Sequence, residues 1–442
     1  MIFDIIIHSG TIITANPDFD IIEDGIVCIK KGRLERIEPR RDGSLIPEAN
    51  EIIDAKGGII MPGLVNTHTH LPMSIFKGLA DDLPLMTWLN EHIFPAESKH
   101  IKAESVRLGS FLSCAEMILS GTTTCCDGYF FENEVAQAVF DSGMRAILGQ
   151  GVIDFPAPGV PEPSDNVNNA VGFIDKWYNK SPLIIPSIFC HSPYTCSEET
   201  LKKAKAAALS KNLLFQIHVA ETKDERDRIL SEKNFSPIKY LDKIGMLDNN
   251  TLLVHSIWVD NDDIDIIANS GAKVSVCTES EMKLASGIAP VIKFLEAGIK
   301  VGLGTDGSAS NNDLDLFNEM DITAKLHKVN ILDPTVMDAK TVFQLATIDG
   351  AGALGLDNEI GSLEPGKRAD VIIIDTHKPH LTPMYNPISH LVYAVKGSDV
   401  TTSIINGKIV MEDGRLLTLE LEDIIEEIKI IADEIRGAKL EL

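Results

Sequence analysis

Between about residues 60 and 365 the chain alternates short apolar runs with longer amphipathic stretches. The runs lie at 59–66, 121–127, 145–153, 183–190, 213–219, 251–256, 273–277 and 300–305. Their length and continuous hydrophobicity read as strands buried on both faces. Helical periodicity occupies 103–119, 133–142, 198–211, 224–232, 261–269 and 288–297. Eight alternations of this kind predict a parallel (β/α)8 TIM barrel. A doubly wound sheet is the competing α/β architecture. The Gly-x-Gly-x-x-Gly turn after the first strand that would favour it is absent.

Segments of another character flank this core. Residues 1–58 alternate strand and turn patterns, as in Gly25–Leu34, and residues 366–413 do likewise in Ala369–Asp375 and Thr402–Val410. Two β-rich flanks are expected to pair into one small β-sandwich domain, bounded by 1–58 plus 366–442, with the barrel at 59–365. Residues Glu420 to Arg436 have helical periodicity with an acidic outer face, which places a helix at the C-terminal end. Two long segments follow strands: Leu71–Glu97, and Phe155–Asn166 with Pro156, Pro158, Pro161 and Pro163. Long loops on the active rim of a barrel usually hold substrate or close over it, the plain alternative being surface padding.

At 442 residues and 44% hydrophobic, the chain can bury one large core and a smaller companion. Its net charge of −25 argues against nucleic acid and anionic membranes as partners, because their phosphates need a basic surface. Beyond that, the charge speaks for solubility and not for any reaction. Seven cysteines without Cys-x-x-Cys spacing read as reduced, buried thiols, with Cys125 and Cys126 on opposite faces of one strand. Met1–Ile7 carries Asp4 inside its apolar stretch and has no basic leader, so a strand is expected there and not a signal peptide. No apolar run reaches the roughly 20 residues of a bilayer crossing. A cytoplasmic protein is the expectation, and barrels of this type often form homo-oligomers.

Ligand-type side chains stand where four of the runs stop. The first ends Asn66-Thr67-His68-Thr69-His70, and on a strand the i, i+2 spacing turns both imidazoles to one face. The fifth ends at His218, the sixth at His255 and the eighth at Asp306. A lone His-x-His in a polar turn is commonplace. Four such endings among 12 histidines are hard to read as core packing. In a barrel the C-terminal strand ends form one rim, where these groups can converge.

Three imidazoles and a carboxylate leave room for water on a divalent ion. Zn2+ suits that set, with Fe2+ or Mn2+ open on ligand type alone. Zinc can bring the pKa of its water to about 7. Glu221, three residues past His218, is the best acid/base candidate; the bland reading is a carboxylate favoured at a helix N-terminus. His255 could be a ligand or a base, and with four other ligands available it is assigned as a base on the water. A two-metal site commonly needs a bridging carboxylate, often a carboxylated lysine, at the fourth strand end. Pro186–Tyr194 contains no lysine, so one metal per subunit is expected.

Pro62–His70, Leu79–Glu97, His191-Ser192-Pro193-Tyr194, His218–Thr222, Gly287–Val291 and Gly304–Asn312 together resemble the amidohydrolase superfamily, specifically its 5′-methylthioadenosine/S-adenosylhomocysteine deaminase family. The likeness runs from the first sheet segment to beyond residue 410. Its metal motifs are specific for the superfamily, and the segments around Glu97 and His191 narrow it to the deaminase branch. The resemblance implies His68, His70, His218 and Asp306 as zinc ligands. It implies Glu221 as proton donor to the purine nitrogen beside the attacked carbon, with His255 and Asp306 handling the proton of the attacking water. Glu97 would hold the ribose hydroxyls and His191 would line the nucleoside pocket. The implied reaction is hydrolytic deamination of an adenine nucleoside (5′-methylthioadenosine, S-adenosylhomocysteine, adenosine or 5′-deoxyadenosine) to its inosine analogue and ammonia.

Two positions depart from the family pattern. Gln150, a candidate substrate contact, stands where an arginine is frequent, and glutamine cannot make a charged bidentate pair with a homocysteine carboxylate. Glu281 replaces a neutral amide after the seventh run, where it either alters the pocket or pairs with Lys283. Related barrels deaminate guanine or pterins, or act on triazines, with the same mononuclear metal. Glu97 discriminates, because a bare heterocycle offers no sugar for it to hold. A non-catalytic scaffold would be expected to have lost ligands, and every expected ligand is present.

Overall fold

The computed structural model describes residues 2–40 and 45–439. Strands β1 (Phe3–Ile13), β2 (Ile21–Lys30), β3 (Arg33–Pro39), β4 (Ala49–Asp54) and β5 (Ile59–Pro62) come first. The barrel strands follow: β6 (Leu64–Thr69), β7 (Thr122–Tyr129), β8 (Arg145–Val152), β9 (Ile184–Cys190), β10 (Phe215–Val219), β11 (Thr251–His255), β12 (Lys273–Val276) and β13 (Val301–Leu303). Last are β14 (Val371–Ile374), β15 (Val400–Ile405), β16 (Lys408–Glu412) and β17 (Arg415–Leu416).

Strands β6 to β13 are hydrogen-bonded neighbours in chain order, all parallel. This is the eight-stranded barrel sheet expected from the run/helix alternation. At its seam the backbone N–H of Asp306 donates to the carbonyl of His68 at 3.0 Å. The two sides approach too closely for a side chain: a Cβ on Gly302 would stand 2.3 Å from Thr67 Cγ2. The run 59–66 divides at Gly63. Its first half, β5, joins the flanking sheet and its second half, β6, opens the barrel. A Cβ on Gly63 would meet Thr123 Oγ1 at 2.1 Å, so only glycine lets the chain cross between the two sheets there.

The flanks assemble as one mixed nine-stranded sheet, ordered β17-β16-β15-β14-β5-β1-β2-β3, with β4 parallel to β1. Alternate side chains of its strands (Ile5 and Ile7, Val27 and Ile29, Val371 and Ile373) pack into a common core with Leu34 and Ile404. The two chain ends are joined by the antiparallel β5–β14 pair, where Met61 faces Ile372. A buried ion pair ties this sheet to the barrel. Arg145, at the start of β8, holds Asp370 through Nε at 2.9 Å and Nη2 at 3.0 Å. All seven cysteines are free and buried, with Cys125 and Cys126 in separate apolar clusters.

Helices cover Ala103–Leu119, Glu132–Ser142, Glu198–Leu209, Lys223–Lys233, Asn261–Ser270 and Leu421–Lys439, close to the expected spans. The helix expected at 288–297 shortens to Val291–Glu296, because Pro290 has no N–H to give and takes the capping position. The periodicity reading passed over several helices, among them Asn166–Trp177, which buries Ala170, Phe173, Ile174 and Trp177, and Leu316–Ile331. The segment expected as a long loop after β6 also winds up. It forms a 3-10 helix at Leu71–Phe76 and a continuous helical stretch from Leu85 to His100, π-helical at Trp88–Ile93. Among the described residues no helix is long and apolar enough to cross a membrane.

Candidate active site

Every barrel strand points its C-terminal end at one rim, and the candidate side chains stand there. His68 ends inside β6 and is fully buried; His70 follows it by one residue past the strand. His218 sits one residue before the end of β10, His255 ends β11, and Asp306 lies just beyond β13. The backbones of Ala220, His255 and Asp306 are left-handed, with φ of 52°, 71° and 59°. None is glycine, so each costs about 1–2 kcal/mol. Strain at three strand ends of one rim marks it as a site whose geometry is fixed by its surroundings.

His68, His70, His218 and Asp306 each offer a ligand atom, all within 4.8 Å of one another. Nε2 of His68 lies 3.1 Å from Nε2 of His218. Oδ1 of Asp306 lies 3.3 Å from Nε2 of His70 and 3.6 Å from Nε2 of His68. Ligands at 2.0–2.1 Å from a tetrahedral ion are about 3.3 Å apart, so these spacings match a cage around one cation. Neighbours orient the donors toward that point. His70 turns Nδ1 to the carbonyl of Gly128 at 2.6 Å, leaving Nε2 to face the cluster. Asp306 accepts from Ser280 Oγ and Ser310 Oγ at Oδ2, each 2.7 Å, and from the Gly307 N–H at Oδ1.

Protonation states agree with this geometry. Burial lowers His68 to about 4 and lowers His70 and His218, so near neutrality the imidazoles keep lone pairs. Burial alone would raise Asp306, but His68, His70 and His255 beside it hold the carboxyl well below its ordinary value. Neutral imidazoles and an ionised carboxylate are the donor set a divalent transition ion takes. The residues present fit such an ion.

Two further groups border the cluster. Glu221 follows β10, and burial pushes its carboxyl up to about 7. Its Oε2 stands 4.0 Å from Nε2 of His255. Burial opposes protonation of His255, but the carboxylates of Glu221, Glu281 and Asp306 outweigh it and raise the ring to about 9. A dication among the four ligands would add positive charge beside that ring and lower it again. The turn carrying Glu221 is clamped by Glu225, whose carboxylate accepts the backbone N–H groups of Ala220 and Glu221 at 2.9 and 2.8 Å.

Above the cluster opens a cavity of about 340 Å3. His70, His191, His218, Glu221, His255 and Asp306 line it, and so does Glu97 from the helix Phe94–His100. Burial pushes Glu97 up to about 7, against the hydrogen bond that the Tyr129 hydroxyl donates to it. His191 approaches Thr195 Oγ1 at 3.0 Å through Nδ1, and burial lowers its ring to about 4. Trp88, Phe94, Phe155, Pro156, Pro158 and Leu284 form much of the wall, so both long segments singled out in the sequence contribute to it. No lysine or arginine lines the cavity among the described residues.

Gln150 is placed elsewhere. It is buried in the barrel, its Oε1 accepting from the Glu132 N–H at 3.2 Å, and it does not line the cavity. Sequence reasoning missed Tyr129, Ser280, Ser310 and Glu225. Only Glu225 left a readable signal, the Thr222-x-x-Glu225 pattern of a capping box, in which Thr222 Oγ1 accepts from the Glu225 N–H at 3.2 Å.

Comparison with known proteins places the chain in a family. The model of the Amidohydrolase family matches residues 59–410. The chain belongs to that family. It is 45% identical over 433 residues, 98% of each chain, to a 5-methylthioadenosine/S-adenosylhomocysteine deaminase of Syntrophobacter fumaroxidans. It is 44% identical, again over 98% of each chain, to a 5′-deoxyadenosine deaminase of Methanosarcina mazei. Among solved structures, a zinc-bound adenosine deaminase of Xanthomonas campestris superimposes with a TM-score of 0.96, at 33% identity and covering 99% of each chain.

Proposed function

We propose that this amidohydrolase-family protein deaminates adenine nucleosides hydrolytically, giving the inosine analogue and ammonia. The observation that carries the reading is the convergence of His68, His70, His218 and Asp306, with Glu221 and His255 beside them and Glu97 lining the same cavity. The nucleoside deaminases to which the chain is 44–45% identical support the substrate class.

His68, His70, His218 and Asp306 would hold one zinc ion, as the zinc-bound structural relative supports. When bound, such an ion acidifies a coordinated water into the neutral range. Glu97 accepts hydroxyl protons of the ribose while Tyr129 keeps one carboxylate oxygen occupied, which fixes the sugar and selects against a bare base. Glu221, whose carboxyl burial pushes up to about 7, can hold a proton near neutrality and gives it to the adenine nitrogen beside C6, making that carbon electrophilic. The attacking water adds at C6 and yields its proton to His255 or Asp306. That proton passes to the departing amino group, the C6–N bond breaks and ammonia leaves, while the remaining hydroxyl proton returns to Glu221 and C6 becomes the carbonyl. The apolar walls exclude bulk water while this happens.

The barrel at 59–365 is proposed to carry this chemistry, with the flanks 1–58 and 366–442 as a supporting domain. An ammonia-release screen with zinc-loaded protein across adenosine, 5′-deoxyadenosine, 5′-methylthioadenosine and S-adenosylhomocysteine tests the reading. Turnover of at least one is expected. Turnover of guanine, pterins or triazines with none of these nucleosides would overturn it.

A further inference from the structure

Glu281 sits in the short helix Thr278–Lys283 and is only 3% exposed. A carboxylate so deeply placed needs partners, and the obvious one is not available. Lys283 turns away to Asp81 Oδ1, at 2.6 Å, and to Asn312. Glu281 instead presents Oε1 to two donors: the Cys277 backbone N–H at 3.1 Å and Nδ1 of His255 at 3.3 Å. The opposite ring nitrogen of His255 faces Glu221 Oε2 at 4.0 Å.

His255 needs such an anchor. Its backbone is left-handed at the end of β11, and so is that of the next residue, Ser256, with φ of 52°. A side chain leaving a strained strand end is not oriented by regular strand geometry, so a fixed partner must hold the ring. An ionised carboxylate has no proton to give, so a hydrogen bond here requires the proton on Nδ1. In the neutral ring, which a dication among the four ligands would favour, that leaves Nε2 as the lone-pair nitrogen on the cavity side.

We infer that Glu281 is a positioning residue, fixing the tautomer and tilt of His255 so that Nε2 faces Glu221 and the reacting water. The arrangement is the base-and-orienter logic of hydrolase triads, built here from two strand ends and a one-and-a-half-turn helix. A purely structural role is the alternative, since the same oxygen also caps the helix at Cys277. Glutamine separates the two, because it keeps an acceptor oxygen for both donors and removes only the charge.

The kinetic arm of the test rests on the deaminase reading, and the spectroscopic arm does not. In zinc-loaded protein, Glu281→Gln is expected to lower kcat for an adenine nucleoside roughly 10- to 100-fold, with KM, metal content and melting temperature held. By 15N NMR of zinc-loaded, histidine-labelled protein, wild-type His255 is expected to carry its proton on Nδ1, and Glu281→Leu to shift it toward Nε2. An unchanged kcat in folded, metal-replete Glu281→Gln overturns the inference, as does a loss confined to KM or traced to lost metal. If Glu281→Leu does not fold, the near-isosteric Gln variant and the wild-type tautomer still decide. If the wild type turns over no nucleoside, the function reading fails by itself, and an Nε2–H tautomer of His255 then overturns the role of Glu281 separately.

Discussion

Replacing Glu97 with glutamine isolates the group proposed to read the sugar. One carboxylate oxygen of Glu97 already accepts the Tyr129 hydroxyl, and glutamine can keep that bond through its own carbonyl. The fold should therefore survive, and removing a carboxyl that burial has pushed up to about 7 relieves desolvation and adds no strain. What is lost is the charge on hydrogen bonds to the ribose. A hydrogen bond to a charged group is worth about 1.5–3 kcal/mol, which corresponds to about 10- to 150-fold in kcat/KM. The assay compares kcat/KM for 5′-deoxyadenosine with that for 2′,3′-dideoxyadenosine, in wild type and Glu97→Gln. The ribonucleoside should lose by that factor and the dideoxy substrate should hardly change. A second readout is pH. Wild-type kcat/KM for the ribonucleoside should fall as pH drops through about 7, because protonation removes the acceptor, and that part of the acid limb should vanish in Glu97→Gln. Equal losses on both substrates, or none on either, would refute the assignment of Glu97 to the sugar.

Other expectations are more briefly stated. Glu221→Gln should retain metal and lose about 10^2- to 10^4-fold in kcat, and undiminished turnover would remove Glu221 from proton transfer. Asp370→Ala strands the buried Arg145 guanidinium and should cost about 3–5 kcal/mol in urea unfolding; a change inside about 0.5 kcal/mol would show that the barrel does not lean on that pair. Since no lysine or arginine lines the cavity among the described residues, a homocysteine carboxylate would find no ammonium or guanidinium partner there. S-Adenosylhomocysteine should thus show a kcat/KM at least about tenfold below that of 5′-methylthioadenosine, one uncompensated charge-assisted bond, and equal values would contradict this reading of the cavity.

The barrel and the convergence of His68, His70, His218 and Asp306 were legible because two simple periodicities carry them. Buried parallel strands appear as unbroken apolar runs, and all of them end on one rim. A His or Asp at such an end is therefore placed in space by its place in sequence, as His218, His255 and Asp306 show. Gln150 failed for the complementary reason: a strand position gives no depth, and its amide is spent inside the barrel on the Glu132 N–H. The helical stretch Leu85–His100 was hidden because its π-helical middle shifts the 3.6-residue spacing and Pro95 masks its continuation. The helix Asn166–Trp177 was readable in principle, since Ala170, Phe173, Ile174 and Trp177 keep helical spacing, but the proline cluster before it drew the segment toward a loop. Tyr129, Ser280 and Ser310 could not have been found, because single hydroxyls that brace a carboxylate across elements leave no spacing in the chain.

The central claim is that His68, His70, His218 and Asp306 close on one cation. Elemental analysis of protein purified without chelator, repeated on His218→Ala, tests it most directly. About one divalent ion per chain is predicted for the wild type, with near-complete loss in the variant while the fold persists. A wild-type protein that stays metal-free after incubation with zinc, iron or manganese, or a His218→Ala variant that keeps its ion, would contradict the account.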